Sequence, residues 1–250
     1  MADPGLDLKA LAEQFVTEIT DSLAYFTENP PQFEVTELKN KVSIRPAQQE
    51  GKPAVIPLQL QGKTFLGLVV QFDCIWDSRN KFLAVERSTF EVRPLANKRG
   101  DPLFRVDYVR EQSKDLPCSH IHVHAHRDEF THRLGHAGEK SRHSRRRVKR
   151  SFSEIPKVSE FHFPTGGPRF RPCLEDVLET LRVEFGLDVD NNLWSNHLRK
   201  VRAKWRRIQT AAVVRDSPQT AIDVLVKEFG LPLPEDWTPP DGKMDKLIMS

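Results

Sequence analysis

Cys118-Ser119-His120-Ile121-His122-Val123-His124-Ala125-His126 places a histidine at every second position. In an extended strand, successive side chains point to opposite faces. The stretch therefore predicts a strand with His120, His122, His124 and His126 on one face and Ile121, Val123 and Ala125 on the other. Such a strand needs neighbours that bury its aliphatic side, so the fold is read outward from it as a sheet. The chain has nine histidines, and eight of them fall between His120 and His162.

Upstream, Lys41 to Arg45 alternates in polarity, and Thr64 to Trp76 is long and apolar enough for a central strand. Asp77-Ser78-Arg79-Asn80 predicts a turn, with Phe82 to Val85 returning from it. Thr89 to Arg93 and Leu103 to Val109 alternate again. Short turns between these runs favour an antiparallel meander. Downstream, Ser159-Glu160-Phe161-His162-Phe163-Pro164 repeats the alternation. If it joins the same sheet, Phe161 and Phe163 enter the core, and Glu160 and His162 share the histidine face. Arg105 and Asp107 alternate with Phe104, Val106 and Tyr108, so they are candidates for that face as well. A slip of one residue would invert each assignment.

Leu8, Leu11, Phe15, Ile19 and Leu23 recur every three or four residues, which predicts a helix over about 6–26, stopped by Asn29-Pro30-Pro31, that covers one sheet face. Leu174, Val177, Leu178, Leu181 and Phe185 mark a second helix ended by Gly186. A third, capped by Asp190 or Asn191, carries Trp194, Leu198, Val201, Trp205, Ile208 and Ala212 on its apolar stripe. A fourth starts at Ser217-Pro218 and runs to Phe229, and the tail from Leu231 is expected to be poorly ordered. The expected fold is α+β: a mostly antiparallel sheet over about residues 40–164, an N-terminal covering helix and a helical C-terminal region. The organisation read is an α+β domain over 1–186 containing a basic loop at 127–157, a helical region over 187–230, and a tail over 231–250.

Hydrophobic residues are 38% and charged residues 29%, compatible with a folded core. Three widely spaced cysteines make a disulfide framework improbable. There is no basic-then-apolar leader and no apolar run of the ~18 residues a membrane span needs. The expectation is a cytoplasmic protein without membrane association. The net charge of +3 is uneven. Residues 101–215 hold 23 Lys/Arg against 15 Asp/Glu, whereas residues 216–250 hold 3 against 7. The positive excess surrounds the histidines and suits a partner that carries phosphate, RNA or DNA.

The histidine face admits three chemistries. In the first, His120, His122, His124 and His162 are candidate ligands of one divalent ion, zinc or similar, with Glu160, Asp107 or Cys118 as further donors. A metal-bound water would then attack a phosphodiester. In the second, no metal is needed. His122, His124 and His162 are candidate acid and base, and Arg105 or Arg169 stabilises the phosphorane. In the third, the imidazoles form a structural polar face. Candidate nucleic-acid contacts are Arg145, Arg146, Arg147, Lys149 and Arg150 in the basic loop, Arg169 and Arg171 beside Gly166-Gly167, and Lys204 and Arg207 on the third helix. The Gly166-Gly167 loop can hold a phosphate on backbone N–H groups but lacks the Walker spacing.

Phe104-Arg105-Val106-Asp107-Tyr108, the histidine strand, Phe161-His162-Phe163-Pro164 and the helix opening Leu174-Glu175-Asp176-Val177-Leu178 together resemble the TumE-type toxin family. The similarity covers at most residues 60–185. It implies the toxin half of a bacterial two-gene system, with an antitoxin or other protein partner. The leading expectation is a nucleic-acid-acting protein, a nuclease or phosphodiesterase centred on the histidine face. The alternatives are a non-enzymatic module that binds nucleic acid or protein, and a hydrolase of a small phosphorylated molecule.

Overall fold

The computed structural model describes residues 7–49, 52–94, 101–111, 117–124, 149, 159, 163–165 and 169–249. The α+β expectation holds: an N-terminal helix packs on an antiparallel sheet, and helices follow. The sheet strands are β1 (Phe33–Leu38), β2 (Lys41–Pro46), β5 (Ile56–Leu60), β6 (Lys63–Trp76), β7 (Leu83–Pro94), β8 (Phe104–Val109), β9 (Ser119–Val123) and β10 (Phe163–Pro164). A separate two-stranded ribbon pairs β3 (Gln48–Gln49) with β4 (Lys52–Pro53). The main sheet runs β1-β2-β6-β7-β8-β9-β10, and β5 shares the β2 side of β6.

Alternation sets the two faces. Val42 and Ile44 of β2, Leu68, Val70 and Phe72 of β6, Phe90 and Val92 of β7, and Val106 of β8 are buried on one side. Helix α1 (Leu8–Leu23) lies over them, with Phe15 meeting Phe72 edge-on at 4.9 Å between ring centroids. Helix α1 is capped by Asp7, whose side chain accepts from the Lys9 N–H. Helix α2 (Leu174–Phe185) adds Leu174, Val177, Leu178 and Leu181 to the same core. It stops at Gly186, whose φ of 66° is the left-handed conformation that glycine adopts without steric penalty.

Helix α3 (Asn191–Asp216) is capped by Asp190 and buries Trp194 and Leu198. Helix α4 (Pro218–Lys227) buries none of its side chains. The tail does not trail away as expected. The Lys243 N–H donates to the Asp216 carbonyl at 2.8 Å, and Met244–Leu247 forms a last helical turn, α5.

Two strands of the main sheet, and the β3–β4 ribbon, lie outside the expected runs. In β5, Pro57 argues against a strand, but β5 pairs only with β6, and an edge tolerates a missing N–H. In β1, only Phe33 and Val35 are half-buried, so the alternation is short. The two runs expected at 82–85 and 89–93 are one strand. A bulge opposite Asp73/Cys74 absorbs Glu86, which interrupts the apolar pattern.

Candidate metal centre

The second sheet face, away from α1, is polar across β7, β8 and β9. The register puts Thr89 opposite Asp107 and Asp107 opposite His120. The next row sets Glu91 opposite Arg105 and Arg105 opposite His122. Neighbouring strands lie ~4.8 Å apart, so these rows bring side chains from three strands within contact. Asp107, His120 and His122 are buried, at 9%, 3% and 7% exposure. One ring nitrogen from each histidine and one Asp107 oxygen all lie within 4.8 Å of one another. The two imidazole rings meet edge-on, 4.8 Å apart.

Each histidine is oriented by a backbone carbonyl. His120 Nδ1 donates to the Pro117 carbonyl at 2.9 Å, and His122 Nδ1 to the Ser159 carbonyl at 2.5 Å. A carbonyl only accepts, so Nδ1 carries the proton in both rings and the ligand role falls to Nε2. This is the outer-shell arrangement that fixes metal-binding histidines. His122 Nε2 lies 3.3 Å from Asp107 Oδ2. With zinc–ligand bonds of about 2.0–2.2 Å, two donors on one tetrahedral ion are about 3.3–3.5 Å apart. That pair is therefore spaced like the edge of a zinc coordination tetrahedron.

Asp107 is held by both oxygens. Thr89 Oγ1 donates to Oδ1 at 2.8 Å, and Arg105 Nε donates to Oδ2 at 2.6 Å. Burial pushes the Asp107 carboxyl up, but the His122 bond, the Arg105 charge and the Thr89 hydroxyl outweigh it and hold the pKa at about 2. The carboxylate is thus ionised at neutral pH. Burial lowers the His120 pKa against the opposing effect of the Pro117 carbonyl, which favours the neutral ring that a metal requires.

The expected ligand set is partly redrawn. His120 and His122 come together, and Asp107 supplies the third donor. His124 follows β9; its N–H pairs with the Leu103 carbonyl at 2.9 Å, and it is not part of the three-donor group. Cys118 turns its Sγ toward the Arg110 carbonyl. His162, His126 and Glu160 lie outside the described residues. Positions 163 and 164 nevertheless pair with Ile121 and His120, so β10 joins the sheet beside β9 as expected.

The candidate nucleic-acid contacts scatter. Arg145, Arg146, Arg147, Arg150 and Gly166-Gly167 lie outside the described residues, and Lys149 is exposed. Lys204 and Arg207 are exposed on α3, Lys204 pairing with Glu18 at 2.5 Å. Arg169 grips Asp216 with two bonds of 2.6 and 3.1 Å. Arg171 is buried at 6% exposure, which is not a placement that an extended phosphate backbone reaches. Thr89 and the Pro117 and Ser159 carbonyls were not anticipated. No helix among the described residues is long and apolar enough to cross a membrane.

Comparison of the chain with protein-family models, with curated proteins and with solved structures found no match.

Proposed function

We propose that this protein is a divalent-metal-dependent phosphodiesterase acting on nucleic acid, with Asp107, His120 and His122 holding the ion. The observation that carries this reading is the convergence of three donors, two of them imidazoles oriented by backbone carbonyls and the third an ionised carboxylate. Three protein ligands leave a coordination position for water or substrate, as catalytic zinc sites do. The ion would acidify a bound water and polarise a phosphoryl oxygen. Arg105 engages Asp107 through Nε, and its side chain is 36% exposed, so the rest of its guanidinium can meet a phosphate. The basic excess of residues 101–215 favours a polyanionic substrate. The resemblance to TumE-type toxins extends the reading to a toxin neutralised by a protein partner.

One observation favours a second reading. The centre is buried, and the Ser159 carbonyl is bonded to His122. A closed site suits an ion that ties β8 and β9 to the segment at 159, in a non-enzymatic binding module. Both readings predict metal in the purified protein, measured by plasma mass spectrometry, retained in His124→Ala and lost in His122→Ala. Cleavage of RNA or single-stranded DNA that is lost with chelator and in His122→Ala supports the enzyme. Metal without turnover supports the module. Equal metal content in the two variants overturns the centre itself.

A further inference from the structure

We propose that Arg171, Trp205 and Tyr108 form a binding site for a tetrahedral oxyanion, inorganic phosphate or a phosphomonoester group, separate from the metal centre. Arg171 lies in the segment that leads into α2, two residues before its N-cap Cys173. Its Cζ lies over two rings, 4.4 Å from the Tyr108 centroid and 4.6 Å from that of Trp205 on α3. Among the described residues the guanidinium has no hydrogen bond and no carboxylate partner.

A buried cation without a counter-charge costs several kcal/mol. Among the described residues nothing around Arg171 supplies one. Cys74 and Cys173 are buried thiols, and burial pushes both thiol pKa values up, that of Cys74 to about 12. Arg110 adds a second positive charge to the surroundings. Asp216, the acid at the end of α3, is taken by Arg169.

The second observation is independent. The Trp205 indole Nε1 is the one sequestered side-chain donor without a hydrogen-bond partner among the described residues. The Arg171 nitrogens are not sequestered in that way, so the small exposure of the residue belongs in part to its donor edge. An unpaired guanidinium and an orphan indole N–H on two groups in contact call for one acceptor that serves both. A tetrahedral oxyanion has oxygens in several directions and can take bonds from two separate donors. A planar carboxylate is matched to the guanidinium fork alone.

Alternation along β8 separates this site from the metal centre. Asp107 points to the polar face, whereas Tyr108 sits in the row of Ser88 and Ser119 on the α1 side. An anion at Arg171 is therefore not the phosphate presented to the metal, and either site can fail its test without the other.

The test uses the full chain and titrates inorganic phosphate, a nucleoside monophosphate and acetate at matched ionic strength. Heteronuclear NMR of the indole N–H groups and calorimetry read the binding. Phosphate should shift one of the four tryptophan indole signals, and that signal should be absent in Trp205→Phe. Trp205→Phe keeps a ring over the guanidinium but removes the N–H; it should bind phosphate tenfold or more weakly. Arg171→Met should be insensitive to phosphate. In phosphate-free buffer it should be no less stable than wild type, whereas a purely structural cation would make it less stable. The monophosphate binding as well as inorganic phosphate identifies a phosphomonoester ligand; inorganic phosphate alone identifies the free ion. No phosphate-dependent indole shift in the wild type, acetate binding as well as phosphate, or equal phosphate affinity in wild type and Trp205→Phe, overturns the site.

Discussion

Thr89 holds the Asp107 carboxylate by the oxygen that neither Arg105 nor His122 touches. Thr89→Val keeps the shape and removes the hydroxyl, so Oδ1 is left buried without its donor. Losses of this kind beside metal ligands typically weaken metal affinity by about 10–100-fold. We expect Thr89→Val to fold normally by circular dichroism and to bind zinc about 10-fold or more weakly in a chelator-competition titration. Wild-type affinity in this variant would remove Thr89 from the centre. At this scale the sequence was half legible. Period-two spacing put His120 and His122 on one face, and Asp107 stood among the acids available on a neighbouring strand. Three consecutive pairs of alternating histidines carried no sign of where β9 ends, so His124 looked equivalent to His122. The Pro117 and Ser159 carbonyls that set the tautomers are backbone atoms, which any residue supplies. Thr89 was hidden for a different reason: threonine is common in strands for its shape alone.

Helices α1, α2 and α3 meet at a small polar junction inside the core. His197 Nε2 donates to Ser22 Oγ at 2.9 Å, and Ser22 Oγ donates to Glu175 Oε1 at 2.8 Å. The ring of His197 lies 4.8 Å from Tyr25 and 5.7 Å from Trp194. Burial lowers the His197 pKa, although Glu175 and Asp21 pull it up, and Lys200 adds to the lowering. A histidine with a depressed folded pKa is neutral in the native state and takes up a proton on unfolding. Its contribution to stability is therefore complete above the unfolded pKa of about 6.5 and is lost as pH falls through the lower folded value. His120 and His124 are shifted the same way by burial and act in the same window. We expect urea unfolding to show lower stability at pH 5.5 than at pH 7.5. His197→Gln, which retains an N–H donor, should make that loss smaller. An unchanged pH slope in the variant would exclude His197 as a source. The helices themselves were readable from periodicity, Gly186 and Asp190, because those signals are local. Their mutual contact was not: Ser22 is fully buried on α1, yet nothing local distinguishes it from a serine on a solvated face. The same limit applies to β5, whose proline is tolerated only because of an edge position that the whole sheet determines.

On the scale of the molecule, the helical region is clamped to the sheet's α1 side and turns its charge outward. Asp216 is 2% exposed, bonded by Arg169 through its side chain and by Lys243 through its carbonyl. One residue thus joins the end of α3, the segment before α2 and the tail. Along α3, successive side chains rotate by about 100°. Trp194, Leu198, Gln209 and Asp216 are its buried positions. Arg199, Lys200, Lys204, Arg206 and Arg207 are exposed; their spacing puts Lys200 and Arg207 opposite that seam and the other three on its flanks. Lys204 is neutralised in part by Glu18, and Arg202 by Asp176. Arg199, Lys200, Arg206 and Arg207 have no acidic partner among the described residues. If this face holds nucleic acid, each cation that meets a phosphate releases a counterion, and log affinity falls with log salt by about 0.7 per contact on a single strand. Lys200→Gln with Arg207→Gln removes two contacts, so the slope should flatten by up to about 1.4. Fluorescence anisotropy with a labelled single strand between about 50 and 200 mM salt measures it. Because Lys200 and Arg207 are exposed on α3 and the three donors lie on β8 and β9, the double variant should retain its full metal content. A salt slope identical to wild type would leave α3 as a solvated helix and assign the positive field's work to residues outside it.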